Sequence, residues 1–490
     1  MDYRSTRGEY RCNSLQAVLK GIAPDGGLFV SDSNLGEGFD WRAAIGKDTL
    51  SMAGMILSHL LPDFNDMSDL VRKAYENKFE TPDLTPLVKV GNRYVLELFR
   101  GPTSAFKDVA LSMLPQLIIA AKKQSGADEE TVILTATSGD TGKAAMEGFH
   151  DVPGTRIIVF YPDGGVSPIQ RMQMTTQEGA NVKVCAVKGN FDDCQTAVKQ
   201  AFSKINSMEA LSKAKKALSS ANSINIGRLA PQVVYYFKAY SDLVSMNRIQ
   251  IGDEIDFVVP SGNFGDILAG YFAKLMGLPV RHLVCASNEN RVLTDFINTG
   301  LYDKRRPFYR TSSPSMDILV SSNLERLLFL ASGCNSEAVS GWMADLFSKG
   351  FFKVDEDTLK KIKDTFLSYS CSEDQTIAEI GAVYSDFGYL CDPHTAVGMK
   401  AADDYKHDFD DYIPTVVLST ASPYKFPGPV SQAIGLKANG DEFGQINAIC
   451  KATGVPVPKN LSSIRSKKVL HDDVIYRDRI LDYVLSVLGI

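Results

Sequence analysis

The sequence is dominated by one repeating pattern, in which a short apolar segment ends in a polar or glycine-containing turn and a helix-like segment follows. Seven segments of the apolar kind occur: residues 93–99, 131–137, 156–161, 182–187, 256–260, 283–287 and 415–420. Buried strands of parallel sheets have this continuous apolar character, whereas half-exposed antiparallel strands alternate. The pattern therefore predicts an α/β protein whose parallel sheets are covered on both faces by helices.

Segments between the predicted strands supply the covering helices. Residues 107–123 place apolar side chains on one face at helical spacing, and residues 143–150 and 267–276 are also helical in pattern. The first 85 or so residues differ, because they contain helical stretches at 41–61 and 67–78. We expect residues 1–88 to form a mostly helical N-terminal domain, and the length of 490 residues favours about three domains.

Charge and composition exclude several classes of protein. Lys and Arg number 52 against 58 for Asp and Glu, so the net charge is −6, whereas nucleic acids and anionic membranes select basic faces. The sequence contains no apolar run of roughly 20 residues and no signal-like start. Its eight cysteines lack close pairs, and its six histidines lack metal-ligand spacing. We expect a cytoplasmic protein with reduced thiols, no metal site and no nucleic-acid or membrane partner.

Lys107 is a candidate functional residue because of its position. It follows a predicted strand and a tight turn, begins a predicted helix, and has Phe106 and Val109 nearby. The positive end of a helix and apolar surroundings both lower the pKa of a lysine, as a Schiff-base lysine requires. Taken alone, a solvated lysine in the first turn of a helix is the more common situation.

Two glycine-containing loops also lie where predicted strands end, which is the edge at which open parallel sheets bind ligands. Residues 262–266, Gly-Asn-Phe-Gly-Asp, either present backbone N–H groups to a phosphate or form a simple turn. Residues 135–144 resemble a nucleotide-binding P-loop, but Thr137 replaces its first glycine and Ala144 its Ser or Thr. Triphosphate binding is therefore excluded, and this loop suits a carboxylate or a phosphate.

A third polar segment, residues 222–228, carries amide and hydroxyl donors and one arginine. Its donors suit an anionic ligand. Ser223 or Asn225 is equally suited to cap the helix that follows, and the two roles are compatible.

Together these segments resemble the threonine synthase family, which consists of pyridoxal-phosphate enzymes with the tryptophan synthase β-like fold. The resemblance is to the longer form of the family and runs in order along nearly the whole chain: residues 3–8, 19–28, 106–108, 138–142, 191–195, 222–225, 262–266, 392–398 and 419–423. It implies two parallel-sheet α/β domains beside the N-terminal one. The larger would comprise residues 89–130 and 226–490 and bind the cofactor, and the smaller, mobile one would comprise residues 131–225.

The resemblance also implies a role for each matching residue. Lys107 corresponds to the lysine that holds pyridoxal phosphate, and Thr420 to the hydroxyl residue facing its pyridine nitrogen. The cofactor phosphate loop corresponds to Gly262, Asn263, Phe264, Gly265 and Asp266. The loop for the α-carboxylate of the substrate corresponds to Ser138, Gly139, Asp140 and Thr141. The residues for the substrate phosphate correspond to Asn222, Ser223 and Arg228, with Lys143 as an additional cation.

The reaction that the resemblance implies converts O-phospho-L-homoserine and water into L-threonine and phosphate, with Lys107 as the base at Cα. A pyridoxal-phosphate lyase that releases 2-oxobutyrate is an alternative, because the two reactions diverge only after phosphate has left. A non-catalytic relative is a second alternative. Against it, Lys107, Thr420 and the phosphate loop are all retained.

The sequence departs from the family pattern at three places. Arg100 stands where many relatives have histidine, Ile226 and Gly227 replace Trp and Ala, and Ser422 and Tyr424 replace His and Ala. None of these positions has an assigned chemical role. We expect them to change the shape of the pocket rather than the reaction.

Overall fold

The computed structural model describes residues 2–137, 139–409, 411–437 and 440–490, so Ser138 of the expected carboxylate loop lies outside the described residues. The strands of the described residues are β1 (Tyr3–Ser5), β2 (Arg11–Cys12), β3 (Phe29–Ser31), β4 (Leu87–Val90), β5 (Arg93–Glu97), β6 (Glu130–Ala136), β7 (Thr155–Pro162), β8 (Val182–Lys188), β9 (Lys216–Ser219), β10 (Ile255–Pro260), β11 (Val280–Ser287), β12 (Leu301–Asp303), β13 (Phe351–Lys353), β14 (Phe366–Ser370), β15 (Thr415–Ser419) and β16 (Val474–Tyr476).

The α-helices of the same residues are α1 (Ser14–Lys20), α2 (Thr49–Leu60), α3 (Met67–Tyr75), α4 (Lys107–Ser125), α5 (Asp140–Phe149), α6 (Pro168–Thr175), α7 (Phe191–Asn206), α8 (Glu209–Lys213), α9 (Ile226–Ser245), α10 (Gly265–Leu275), α11 (Val292–Thr299), α12 (Leu324–Ala331), α13 (Ser336–Ser348), α14 (Glu356–Lys363), α15 (Glu373–Phe387), α16 (Pro393–Phe409), α17 (Pro427–Ala433), α18 (Glu442–Thr453), α19 (Lys459–Ser462) and α20 (Ile480–Leu488). None of these helices is both long and apolar enough to cross a membrane.

The larger sheet has six strands in the order β14-β11-β10-β15-β5-β4. Its pairings are parallel except that β4 is antiparallel to β5. Strands β10, β15 and β5 are neighbours and run the same way, so the segments that follow them emerge at one edge. That edge receives the Gly262 loop, Thr420 and the turn before Lys107.

The smaller sheet has the order β16-β8-β7-β6-β9, and all its pairings are parallel. Neighbouring strands β6 and β9 lead into the Gly139 loop and the Asn222 segment, respectively. The predicted α/β class with parallel sheets is therefore confirmed, and all seven predicted strands are present within three residues at each end.

The expected boundaries of the larger unit, 89–130 and 226–490, are wrong at the C-terminal end. Strand β16 pairs with β8 in the smaller sheet, and Ile480 and Val484 of α20 pack into that sheet's apolar cluster. The periodicity of α20 indicates that one face needs an apolar partner. It carries no information about which sheet supplies that partner.

Residues 1–88 do not stand apart as a mostly helical domain. Helices α1, α2 and α3 are present, but β1, β2 and β3 form an antiparallel sheet beside them. The helices pack on α4 and α9 within one continuous apolar core, and the Tyr75 hydroxyl donates to the Val109 carbonyl of α4 at 2.8 Å. Strands of two or three residues are too short to show the alternation that would predict them.

Candidate active site

The turn that leads into Lys107 is fixed to the segment that follows β15. The Phe106 N–H donates to the Thr420 carbonyl at 2.8 Å, and the Ser422 N–H donates to the Ser104 carbonyl at 3.1 Å. Ser104 has a φ of 58°, which only a well-supported turn retains in a non-glycine residue. These bonds hold Thr420 and Lys107 on neighbouring segments.

Lys107 begins α4 and is buried, which distinguishes it from an ordinary first-turn lysine. Its Nζ donates to Ser315 Oγ at 3.2 Å and lies 3.8 Å from Asp140 Oδ2. Burial is the main cause that lowers its pKa, since an ammonium loses hydration there; Asp140 opposes the shift, whereas Lys425 and Arg228 add to it. The amine therefore loses its proton more readily than that of an exposed lysine.

Asp140, the first residue of α5, is ionised between two lysines. Its Oδ1 lies 2.6 Å from Nζ of the fully buried Lys425 and accepts from Gln170 Nε2 at 3.1 Å. Burial raises the pKa of Asp140, but Lys425 and Lys107 outweigh that effect and hold the pKa well below its ordinary value. Because this side chain would repel a carboxylate, the loop would have to hold one through other groups.

The Gly139 loop is shaped by Thr137 and Gln170. The Thr137 hydroxyl accepts from the Gly139 and Gly142 N–H groups at 3.0 and 2.9 Å. Gly139 has a φ of 138°, and a Cβ there would lie 2.5 Å from the Gln170 amide. Glycine is therefore required at this position.

Thr141 and Lys143 follow in α5 and are both partly buried. The Lys143 ammonium lies 2.9 Å from Glu147 Oε2 and also contacts Gln177. Neither partner belongs to the expected phosphate site. The ammonium is therefore already engaged by its own helix and by a neighbouring amide.

The loop at residues 262–266 is packed against the rest of the site. A Cβ at Gly262 would lie 2.7 Å from the Ser315 carbonyl oxygen, and Phe264 has a left-handed φ of 64°. The Asn323 N–H donates to the Asn263 carbonyl at 3.0 Å. Helix α10 begins at Gly265, so the loop presents the start of a helix, which is the environment that favours a phosphate.

Asp266 lies in the first turn of α10, but its carboxylate faces inward. Oδ1 accepts from Ser261 Oγ at 2.5 Å and from the Ile267 N–H at 2.9 Å. Burial raises the pKa of Asp266, and the hydrogen bonds partly oppose that shift. The side chain therefore holds the two ends of the loop together through Ser261 and Ile267.

Arg228 is buried in the first turn of α9 and is incompletely paired. Its Nη1 donates to the Ala221 carbonyl at 2.5 Å, whereas Nε has no hydrogen-bond partner among the described residues. Burial lowers its pKa to about 10, so the guanidinium remains charged at neutral pH. The unpaired Nε is therefore available to donate to an anionic ligand.

Asn222 and Ser223 precede this helix and are exposed and half-buried, respectively. Ser223 Oγ lies 3.5 Å from Ser322 Oγ, and Thr135 Oγ1 donates to the Asn222 side chain at 3.3 Å. The α9 cap is Asn225, whose side chain accepts from the Gly227 N–H at 2.9 Å. Capping therefore does not occupy Ser223.

Four side chains near Lys107 and Asp140 escaped the sequence analysis of the site: Gln170, Ser315, His394 and Lys425. Lys425 lies five residues after Thr420, in the short 3-10 turn Pro423–Lys425, and His394 lies in the motif at residues 392–398. Both residues therefore lie in or near motifs that the sequence shows, but no spacing rule predicts which side chains they contact. Ser315 and Gln170 carried no signal at all.

The departures from the family pattern have local structural explanations. Arg100 pairs with Glu97 at 2.6 Å, and a Cβ at Gly227 would lie 2.8 Å from Leu114 Cδ1 of α4. Ser422 caps the turn that carries Lys425 by accepting from the Tyr424 N–H. The role of Ser422 is therefore to shape the backbone beside the site.

Comparison with known proteins places the whole chain in one family. Residues 79–421 match the family model of pyridoxal-phosphate dependent enzymes, and residues 395–468 match that of the threonine synthase C-terminal region. The chain is 39% identical to threonine synthase-like 1 of Macaca fascicularis over 439 residues, 86% of this chain. Those residues cover 58% of that relative, so the chain spans less than two thirds of its length.

Two further relatives match this chain nearly end to end. Threonine synthase of Saccharomyces cerevisiae is 39% identical over 471 residues, 88% of this chain and 89% of the relative. The crystal structure of pyridoxal-phosphate-bound threonine synthase from Brucella melitensis superimposes with a TM-score of 0.87 at 38% identity, covering 100% of this chain and 98% of the other. The chain therefore belongs to the threonine synthase family of pyridoxal-phosphate dependent enzymes.

Proposed function

We propose that this protein is a threonine synthase, which converts O-phospho-L-homoserine and water into L-threonine and phosphate. One observation carries the proposal: three groups lie near the carboxyl ends of the parallel strands. They are the buried Lys107, whose pKa is lowered, the Gly262 loop at the start of α10, and the buried Arg228, whose Nε is unpaired among the described residues. A lysine amine suits a cofactor that carries an aldehyde. The Gly262 loop and Arg228 are two separate anion sites, which suits one phosphate group on the cofactor and another on the substrate.

The residues at this edge fit pyridoxal phosphate. Gly262 leaves no room for a side chain against Ser315, so the loop presents backbone at the start of α10. Lys107 would hold the aldehyde carbon, residues 262–266 the phosphate, and Thr420 the ring nitrogen. When bound, pyridoxal phosphate supplies an electron sink for negative charge at the substrate Cα.

Lys107 acts as the base in this proposal. Once the substrate amine has displaced it, its amine takes the proton from Cα, which its lowered pKa favours. A second proton then leaves Cβ, and phosphate departs from Cγ. Water adds its oxygen to Cβ, and protons return to Cγ and Cα, so that every atom of substrate and water is found in threonine and phosphate.

Asp140 and Lys425 tune this base. The negative charge on Asp140 lies between both ammonium groups, 2.6 Å from Lys425 and 3.8 Å from Lys107. Asp140 raises the pKa of Lys107, whereas burial and the charge on Lys425 lower it, and the net shift is downward. The pKa of Lys107 therefore lies below that of an exposed lysine, which favours its role as a base.

Arg228 holds the substrate phosphate, assisted by Asn222 and Ser223. Its unpaired Nε gains an acceptor when a phosphate oxygen binds, which relieves the cost of a buried donor. The positive charge then stabilises phosphate as the C–O bond breaks. Lys143 joins this set only if its contact with Glu147 is exchanged for the ligand.

The decisive experiment is product analysis after incubation of the holoenzyme with O-phospho-L-homoserine. Equal amounts of L-threonine and phosphate support the proposal. Phosphate with 2-oxobutyrate would instead make the protein a phospho-lyase, and a protein that binds the cofactor but releases no phosphate would be a non-catalytic relative. Lys107→Ala should abolish the visible absorption of the lysine-bound cofactor, whereas Lys238→Ala, at a buried lysine paired with Asp242, should retain it.

A further inference from the structure

The Asp-Pro-His-Thr motif at residues 392–395 contacts Ser315, the residue whose hydroxyl accepts from Lys107. Asp392 and His394 are both buried, and His394 Nδ1 lies 2.7 Å from Asp392 Oδ1. The other ring nitrogen, Nε2, lies 3.1 Å from the backbone nitrogen of Ser315. Because a backbone N–H can only donate, Nε2 is an acceptor, and the imidazole proton is on Nδ1 against the carboxylate.

Ser315 connects this pair to the reactive lysine. Its hydroxyl accepts from Lys107 Nζ at 3.2 Å, and its carbonyl oxygen packs against Gly262 of the phosphate loop. The single 3-10 turn Pro314–Met316 therefore touches both groups that would hold the cofactor. The position of its backbone affects both at once.

The turn is supported at its flanks and at its centre by different residues. At the flanks, the Asn288 amide donates to Thr311 Oγ1 at 2.9 Å and to Asp317 Oδ1 at 2.8 Å. At the centre, the Ser315 N–H donates to His394. His394 also packs edge-to-face on Phe426, with ring centroids 5.0 Å apart, which fixes the plane of the imidazole.

We propose that His394, oriented by Asp392, is a positioning residue that fixes the Ser315 hydroxyl where it receives the Lys107 amine whenever that amine is not joined to the cofactor. This inference rests on the proposed function, in which the substrate amine displaces Lys107. An amine that donates one N–H to Ser315 has its lone pair free for the Cα proton. The Cα–H bond then breaks, a new N–H bond forms on Lys107, and the electron pair passes to the electron sink.

The charged groups around Lys107 have a different role. They change the pKa of Lys107 through their own charges and so set how readily the ammonium loses its proton. Four residues from separate elements act in this way: Asp140, Lys425, Arg228 and Asp266. Ser315 is neutral and sets the direction of the amine. Loss of Ser315 should therefore slow reactions of Lys107 without a large change in substrate affinity.

The test uses three variants and one control in the full-length protein. Ser315→Ala removes the hydroxyl; His394→Phe keeps a flat ring against Phe426 but has no acceptor; His394→Gln retains an oxygen that can accept from the Ser315 N–H. Ser431→Ala removes a buried hydroxyl in α17 that has no hydrogen-bond partner among the described residues. The first measurement is the rate at which added pyridoxal phosphate restores the visible band in protein stripped of cofactor.

We expect Ser315→Ala and His394→Phe to slow this capture by about three- to tenfold, the effect of one neutral hydrogen bond. His394→Gln and Ser431→Ala should match wild type within about twofold. Wild-type rates in Ser315→Ala would overturn the proposal, as would equal slowing by His394→Gln and His394→Phe. Ser315→Ala removes the hydroxyl itself, so it still tests the proposal if a His394 variant folds poorly.

A second measurement separates this proposal from the proposed function. Exchange of the Cα proton of L-threonine in D₂O reports the base, whatever product the enzyme forms from a phosphoester. The slow variants should show a lower maximal exchange rate at an unchanged half-saturating concentration. If wild type made no threonine but the variants slowed capture, the proposed function would fail and the role of His394 would stand.

Discussion

Asp140 and Lys425 form an ion pair that joins the two parallel sheets, with Asp140 Oδ1 2.6 Å from Lys425 Nζ. Asp140 follows β6 of the smaller sheet, and Lys425 follows β15 of the larger one. Both side chains are buried, so neither charge is stabilised by water. The pair therefore connects the position of the smaller sheet to the electrostatics of Lys107.

A double-mutant cycle measures this coupling. Asp140→Asn and Lys425→Met should each reduce the free energy of unfolding by about 3–5 kcal/mol, because each removes the nearest partner of a buried charge. The double variant should lose clearly less than the sum of the two, and urea unfolding of the holoenzyme measures all four proteins. Strict additivity would show that the two residues do not interact.

The pH dependence of kcat tests the effect of the pair on Lys107. The lysine accepts a proton only when neutral, so kcat should rise with pH through its pKa, which burial lowers below that of an ordinary lysine. In Lys425→Met, the Asp140 charge acts on Lys107 alone and raises its pKa. The rising limb should therefore move to higher pH, and a shift to lower pH would contradict this account.

Lys238→Met is the matched control for that profile. Lys238 is also buried, and its Nζ lies 2.6 Å from Asp242, but both residues belong to α9 and lie away from Lys107. Its removal should reduce stability and leave the pH profile of kcat unchanged.

Gly262→Ala should weaken cofactor binding. The new Cβ would lie 2.7 Å from the Ser315 carbonyl and 3.2 Å from Met316 Cα, so the backbone of the loop must shift. Overpacking of this kind costs about 1–3 kcal/mol, which is at least fivefold in the dissociation constant of pyridoxal phosphate. Gly341→Ala, where the Cβ meets nothing within 4 Å, should leave that constant unchanged.

Arg228→Met should raise KM for O-phospho-L-homoserine by roughly ten- to a hundredfold, since a charge-assisted hydrogen bond to phosphate contributes about 1.5–3 kcal/mol. Steady-state kinetics with saturating cofactor measure the change. Arg93→Met is the matched control, because Arg93 is also buried with an unpaired Nε but lies at the start of β5, opposite the site. A similar KM in both variants would refute the assignment of Arg228.

Asn460→Ala should reduce both stability and kcat. The Asn460 amide donates to the Pro102 carbonyl at 2.7 Å and accepts from Ser104 Oγ at 3.0 Å, so a C-terminal residue holds the turn before Lys107. Loss of these bonds should cost about 1–2 kcal/mol in thermal or urea unfolding. Asn335→Ala removes the exposed cap of α13 and should cost about 1 kcal/mol with kcat unchanged.

The fold class and much of the site could be predicted from the chain itself. Seven apolar segments indicated the parallel strands, the segments after two of them indicated Lys107 and the Gly262 loop as candidates, and the family resemblance implied the role of Thr420. This succeeds because neighbouring parallel strands bring their carboxyl ends to one edge, so local position implies proximity. Predictions that needed a distant partner failed, as with β16, whose three residues pair with β8 nearly 300 positions away.

In contrast, the tertiary structure decided which charges surround Lys107 and which residues hold the site in place. The sequence determined which residue types follow each strand, and the resemblance of those segments to threonine synthases implied a lysine-based cofactor site. Only folding placed Asp140 between Lys107 and Lys425, left Arg228 Nε without a partner among the described residues, and brought His394 Nε2 to the backbone N–H of Ser315. Burial and charge depend on which groups share a volume, and Asp140 and Lys425, 285 residues apart in sequence, come together only because the two sheets pack against each other.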